Sequence, residues 1–428
     1  MRHALKSGWI VVVSAYALLL PSPAAAQRAA RNVFNGSVSA SEAFDWLPAE
    51  FRNLLPEGTS QQSSDLSTMI SGMGVFARNR RAVQLNANGN VSFRQNPNHD
   101  GFDAVSNSGA FGAGVRLSAR STLQLTQTVT YSPLYLYQLF PTSAPLESGK
   151  LGAIDPGYRN DQTASYLYGT HVGLNSGSAR GTMVAVTTDY NVTDYQHQDA
   201  GRENLTTYSL GGSISQALSR TATVSFGYHY SPAEFGVAGQ STEHRITIGA
   251  TYALALSSTR HASFSLNVSP TLMTIDTPLP LAEDPADVAT KHPAQWEANI
   301  EYPFTRKWRG GVRACWCVDY VAEAGEPLLS QGTWANLTGA IGSRVSVSAF
   351  GGYSTAASIA GTTQNVGTYT GGAQVSYAVS RILSVDTGYV IYQYDARNLF
   401  QATPGFPSHF NQNGVRVGFT LFARPQGR

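Results

Sequence analysis

Between about residue 33 and residue 422, apolar and polar side chains alternate one by one in runs of roughly 10 to 15 residues. Ala222, Val224, Phe226, Tyr228 and Tyr230 form one series, interleaved with Thr223, Ser225, Gly227 and His229. Trp296, Ala298, Ile300, Tyr302 and Phe304 form another, set against Glu297, Asn299 and Glu301. In the next run Trp308, Gly310, Val312, Ala314, Trp316 and Val318 alternate with Arg309, Gly311, Arg313, Cys315, Cys317 and Asp319. Successive side chains of a strand point to opposite faces, so each run has one apolar face and one polar face. Helical periodicity is missing through most of the chain.

The connections between runs are of two kinds, and they alternate. Short ones occur at Arg78 to Arg81, Ala119-Arg120, Ser176 to Arg180 and Ser219-Arg220. They continue at Ser258 to Arg260, Thr305 to Lys307, Ser343-Arg344 and Ser380-Arg381, and each carries an Arg. Longer connections rich in Pro, Gly and Asp fall near 46–65, 96–108, 133–161, 196–203, 235–240, 275–290, 322–328, 358–363 and 397–410. Asp100, Asp103, Glu147, Asp155, Glu283, Asp284 and Asp287 lie in or beside them. Basic turns at one end and acidic loops at the other match short periplasmic turns opposite long external loops. The turns and loops together join eighteen strands.

The first nine are predicted over 33–44, 66–77, 82–95, 109–118, 122–132, 162–175, 181–195, 204–216 and 221–234. The remaining nine are predicted over 241–255, 261–274, 291–303, 308–321, 329–341, 344–357, 364–378, 382–396 and 410–422. The first two are the weakest, with low apolar content around Val33 to Phe44, and Trp46 to Leu55 also reads as a short helix or plug. Omitting both leaves sixteen strands and the same parity.

Composition sharpens this picture. Charged residues make up only 13% of the chain, about half the share of a soluble domain. Gly (41) and Tyr (21) are plentiful, as are neutral polar residues. A protein with lipid outside and water inside needs this balance. The net charge of +2 points to no nucleic-acid partner. At the amino terminus Arg2 and Lys6 precede the apolar run Ile10 to Leu20, then Pro21 and Ala24-Ala25-Ala26. This is the pattern of a cleaved signal peptide over 1–26, leaving one barrel domain over 27–428. The apolar run is about half of what a spanning helix needs.

Near the carboxyl end, Gln412-Asn413-Gly414-Val415-Arg416-Val417-Gly418-Phe419 resembles the last-strand signature read by barrel-assembly machinery, with the tail Ala423 to Arg428 beyond it. With the hairpin rhythm over 33–422, the chain resembles the bacterial outer-membrane β-barrels of porin type. The resemblance implies an all-β, transmembrane, antiparallel up-and-down barrel in the cell outer membrane. It also implies contact with outer-membrane lipids and with the assembly machinery. It leaves homo-oligomerisation open.

An open sheet edge cannot persist in lipid, so the first strand should pair with the last. Sixteen to eighteen strands leave a lumen too wide for side chains to fill. The outward stripe is expected to include Leu123, Leu125, Val129, Val224, Phe226, Ile246, Ile248, Phe264, Leu266, Ile300, Val345, Val347, Val375, Leu383, Val385, Val417 and Phe419. Tyr131, Tyr190, Tyr230, Tyr320, Tyr353 and Tyr392 are expected in the loop-side aromatic girdle.

Pore-lining charges are expected at Arg94, Arg116, Asp189, Arg245, Glu297, Glu301, Arg309, Arg313, Asp319, Asp386 and Arg416. Glu297, Glu301, Arg309 and Arg313 form a candidate ladder that either biases solute passage or neutralises itself and stiffens the wall. The long connection Pro133 to Asp161 is a candidate inward-folding loop, as in many general porins, with an extended strand or subunit contact as the alternative. Cys315 and Cys317 read as lumen-side thiols, and His171 and His229 as lumen-facing.

No zinc-protease motif, nucleophile elbow or phosphate loop is present, so no catalytic, cofactor or metal site is assigned. Asp284 and Asp287 read as a solvated acidic loop. The function expected is diffusion of small hydrophilic solutes. The alternatives are an export-associated barrel of an exopolysaccharide or secretion system, or a plugged structural or adhesive barrel.

Overall fold

The computed structural model describes residues 31–46, 64–80, 82–95, 104–132, 165–178, 180–195, 204–236, 239–257, 260–276, 289–321, 326–359, 365–395 and 409–423. The expected signal peptide and the connection Pro133 to Asp161 lie outside them, as does most of Trp46 to Leu55. The described residues are strands and their tight turns.

The strands are β1 (Arg31–Trp46), β2 (Ser64–Asn79), β3 (Val83–Gln95), β4 (Ala104–Arg116), β5 (Ser121–Ser132) and β6 (Ser165–Gly177). Next come β7 (Thr182–Tyr195), β8 (Leu205–Ala217), β9 (Ala222–Phe235), β10 (Gln240–Ser257), β11 (Arg260–Asp276), β12 (Ala289–Lys291) and β13 (Ala294–Tyr302). The last six are β14 (Trp308–Val321), β15 (Glu326–Ile341), β16 (Val345–Ser358), β17 (Asn365–Ala378), β18 (Leu383–Asp395) and β19 (His409–Ala423).

Both β12 and β13 pair with β11, one above the other, so they are two pieces of one crossing strand. The break falls at His292-Pro293, where proline has no N–H to give a ladder. Nineteen segments therefore make eighteen crossings. Every crossing pairs antiparallel with its neighbours in sequence, from β1–β2 through β18–β19. The ring closes where Gly36 to Trp46 of β1 pair with Asn413 to Ala423 of β19. Both weak amino-terminal strands belong to the wall, so the count is eighteen rather than sixteen.

Register assigns the two faces. Ile214, Phe226, Ile248 and Val268 line up across β8 to β11. All four are among the large apolar side chains that the chain leaves uncovered. On the other face Ser39, Ser71, Ser92 and Ser106 line up across β1 to β4. Ser39 Oγ lies 2.6 Å from Ser71 Oγ, and Ser92 Oγ 2.5 Å from Ser106 Oγ. An apolar outside and a hydroxyl-rich inside satisfy lipid and water respectively.

The outer face also carries tyrosine pairs toward the loop-side strand ends. Tyr131–Tyr166, Tyr190–Tyr208 and Tyr353–Tyr369 have ring centroids 5.0, 4.8 and 4.4 Å apart. Two expected girdle members are misplaced. Tyr392 pairs with Thr370 and Gln412 on the inner register. Tyr320 turns into the barrel, as described below.

Five of the short turns carry a hydroxyl just before the Arg that bonds the turn backbone. Ser118 Oγ accepts from the Arg120 and Ser121 N–H groups, and Ser219 Oγ from those of Thr221 and Ala222. Ser178, Thr305 and Ser380 do the same for Arg180, Lys307 and Ile382. These side-chain bonds replace ladder bonds that the chain gives up in reversing direction.

Candidate functional site: the inner wall

All eleven expected pore-lining positions fall on the inward register. The side chain of Arg94 is outside the described residues. Most of the others are held in separate local arrangements.

Arg313 Nε lies 2.9 Å from Glu297 Oε1, with both side chains partly open to the lumen. The four-residue ladder is thereby reduced to one ion pair among the described contacts. Arg309 instead donates from Nε to Thr338 Oγ1 at 3.2 Å, and Glu301 stands opposite Gly311. Across the barrel His171 Nδ1 lies 2.6 Å from Asp189 Oδ1, and Ser209 Oγ donates to Asp189 Oδ2 at 2.8 Å. The carboxylate is thus held by neighbours on both adjacent strands, β6 and β8.

Two expected pore charges are buried. Arg416 is 1% exposed and donates from Nε to Ser41 Oγ at 2.7 Å, bridging the β19–β1 seam. Asp386 is 4% exposed and accepts from Ser384 Oγ at 3.2 Å and Thr420 Oγ1 at 2.8 Å. A buried charge of this kind is part of the wall structure and does not face the open lumen.

The loop-side half of the wall also departs from a smooth cylinder. β13 and β14 pair only as far as Trp296↔Trp316. Beyond it the Val318 N–H donates to Gln295 Oε1 at 3.2 Å, and a side chain takes the place of the ladder. From there the end of β14 turns inward. Tyr320 shares its register position with Pro327, which strict alternation puts outside, yet Pro327 is fully buried and Tyr320 is partly covered. The Tyr320 hydroxyl donates to Glu243 Oε2 on β10 at 3.0 Å, and its ring lies 6.3 Å from Phe235 on β9.

Cα atoms of β10 and β15 come within 8 Å of each other. Four interstrand steps of about 4.8 Å each would hold them about 19 Å apart along the wall. The difference measures how far this sector folds in.

The contact encloses Ala233, Phe235, Met273, Ile275 and Leu328, an apolar cluster on what alternation calls the wet side. Its polar centre is Gln295. Nε2 donates to Glu243 Oε1 at 2.6 Å and to Thr271 Oγ1 at 3.0 Å. Oε1 accepts from Val318 N and from Arg245 Nη1 at 3.3 Å. Both donors and both acceptor sites of the amide are therefore used. Glu243, 2% exposed, also has Arg245 Nη1 at 3.8 Å.

Glu243, Gln295 and Tyr320 are absent from the expected site. The signal for Glu243 was present, since it shares a face with Arg245 two residues away. Trp334 was missed as well. Only 7% exposed, its indole lies on the inner wall over Gly332 and Gly352, where any Cβ would overlap it. Cys315 is buried and Cys317 half-buried, both as free thiols on the inner register. Among the described residues, no three His, Cys, Asp or Glu side chains are grouped to hold a metal ion.

A closed eighteen-strand antiparallel barrel with a lipid-facing apolar exterior and a polar interior is an outer-membrane β-barrel of porin type. No protein-family model matches the chain, and no curated protein matches it significantly. Among solved structures, OpdO of Pseudomonas aeruginosa is similar over 92% of this chain and 97% of its own, at 10% identity and a TM-score of 0.45. OccK2 (OpdF) of the same organism is similar over 92% and 98%, at 9% identity and a TM-score of 0.45. The FrpB iron transporter from Neisseria meningitidis is similar over 91% and 81%, at 7% identity and a TM-score of 0.42. The barrel class rests on this chain's own closure and faces.

Proposed function

We propose that this barrel is a channel for the diffusion of small hydrophilic solutes across the outer membrane. The observation that carries this reading is the inner face, which is lined by hydroxyls, amides and paired charges in a ring of eighteen strands. Such a ring is too wide for its own side chains to fill. The inner wall is enclosed under the β14–β15 end and at the seam, so solutes pass along the remaining sector. There the half-exposed groups of Glu297–Arg313 and His171–Asp189 meet them.

Within this reading β19 is the strand that the assembly machinery engages, since it carries the last-strand pattern and closes the ring. Purified protein in liposomes should admit small sugars and ions in a swelling assay. Absence of flux for every solute in the panel would refute the channel.

A further inference from the structure

We infer that the turned-in end of β14 and β15 is the constriction element of this channel, and that Glu243 and Gln295 are the positioning residues that hold it across the lumen. The inference rests on the channel reading for its functional half.

Three observations converge on it. First, the ladder to β13 stops at Trp316, and the Gln295 amide inserts where β14 separates. Second, Tyr320 crosses to strands that are remote along the wall. It bonds Glu243 on β10 and packs on Phe235 of β9. Third, the carboxylate it meets is buried and hydrogen-bonded on both oxygens.

A buried carboxylate persists only when its oxygens are satisfied. Tyr320 supplies one of those bonds from the inward-turned end. Releasing that end would therefore leave Glu243 short of a donor, and removing Glu243 would leave Tyr320 without its acceptor and Gln295 with Thr271 alone. The anchor is mutual, and its cost of opening falls on buried polar groups rather than on solvated ones.

The position of Ala233 supplies a direct reporter. It is fully enclosed on β9, between Ser231 and Phe235 on the same face, and the Tyr320 ring packs on Phe235. A thiol placed there is shielded while the end is turned in. The chain has two cysteines, so Cys315→Ser and Cys317→Ser leave that thiol alone.

The experiment combines Ala233→Cys in this background with Glu243→Ala, Glu243→Gln, Gln295→Leu or Tyr320→Phe. Each protein is first checked for the heat-dependent gel shift of a closed barrel. Modification by a charged methanethiosulfonate should be slow in the parent and about tenfold faster in Glu243→Ala, as expected for loss of a local structural unit. Glu243→Gln and Tyr320→Phe, which each remove part of the bonding, should fall between.

In planar bilayers the same order should appear as rising single-channel conductance. Unchanged thiol rates in Glu243→Ala and Gln295→Leu would overturn the anchor. Faster rates with unchanged conductance in a conducting barrel would overturn the constriction. A barrel that passes no ions at all would instead refute the channel reading, and the thiol rates would still decide the anchor.

Discussion

Phe226 tests the assignment of faces most directly. It lies four residues into β9 from Ala222, which follows the Ser219 turn. At about 3.4 Å per residue and a strand tilt of about 40°, that places it about 10 Å from the turn-side end of the strand. The apolar band of such a barrel is about 25 Å tall, so Phe226 sits within a few Å of its middle. Its partners Ile214 and Ile248 are apolar and uncovered like itself. An arginine there has no polar neighbour to reach within the row. Phe226→Arg should cost about 2–4 kcal/mol, the depth-dependent penalty for a guanidinium at the bilayer midplane. Ser225, one residue earlier, faces the lumen, and Ser225→Arg should cost no more than about 0.5 kcal/mol. Urea unfolding in lipid vesicles, followed by tryptophan emission and the heat-dependent gel shift, measures both. The midpoint should drop for Phe226→Arg by the free-energy loss divided by the denaturant slope. Equal losses at the two sites, or a larger loss at Ser225, would refute the register.

Arg313→Ala strips Glu297 of its partner and should shift the reversal potential in a KCl gradient toward cation preference. Arg309→Ala, which breaks only a bond to Thr338, should shift it less. Because the pair is partly exposed, it contributes only about 0.2–1 kcal/mol to stability, and the thermal transition should hardly move. Arg416→Met removes the donor that bridges the seam to Ser41 and should cost about 1–3 kcal/mol, read as a lower temperature for the gel shift. Gly352→Ala must push the Trp334 indole off the wall. Acrylamide quenching should rise, and a Trp334→Phe background should abolish the rise.

Why strand count and faces could be read from one chain follows from how locally they are encoded. Alternation at period two needs only a run of neighbours, and Phe226 or Ile300 declares its face without reference to any other strand. Turns are equally local, because the Ser118 or Ser219 hydroxyl bonds backbone within three residues. The expected strand over 291–303 was interrupted for a similarly local reason, since Pro293 lies inside it. The first two strands looked weak because their inner positions hold Ser37, Ser39, Ser41, Ser67 and Ser71, and serine gives little strand signal. In the barrel those serines are wall lining, and β1 is indispensable because it accepts the closing strand β19.

The site was less legible, and Tyr320 shows why. Its place in the alternation assigns it to the outer girdle, and nothing within β14 contradicts that. What overrides the assignment is a hydroxyl–carboxylate bond to a residue 77 positions earlier and the lost ladder at Gln295. The same limit applies to the charges. Arg416 and Arg313 look alike in sequence, each one polar residue between apolar neighbours. One is enclosed at the seam between the first and last strands, and the other is half-open beside Glu297. Only closure of the ring, which brings Ser41 to Arg416 across 375 residues, separates a structural charge from one that is open to the lumen. In a barrel the covalent neighbourhood encodes which face a side chain takes. Whether that face is wet depends on contacts that form only once the ring is complete. Selectivity here should accordingly answer to Arg313 and Glu297, and stability to Arg416.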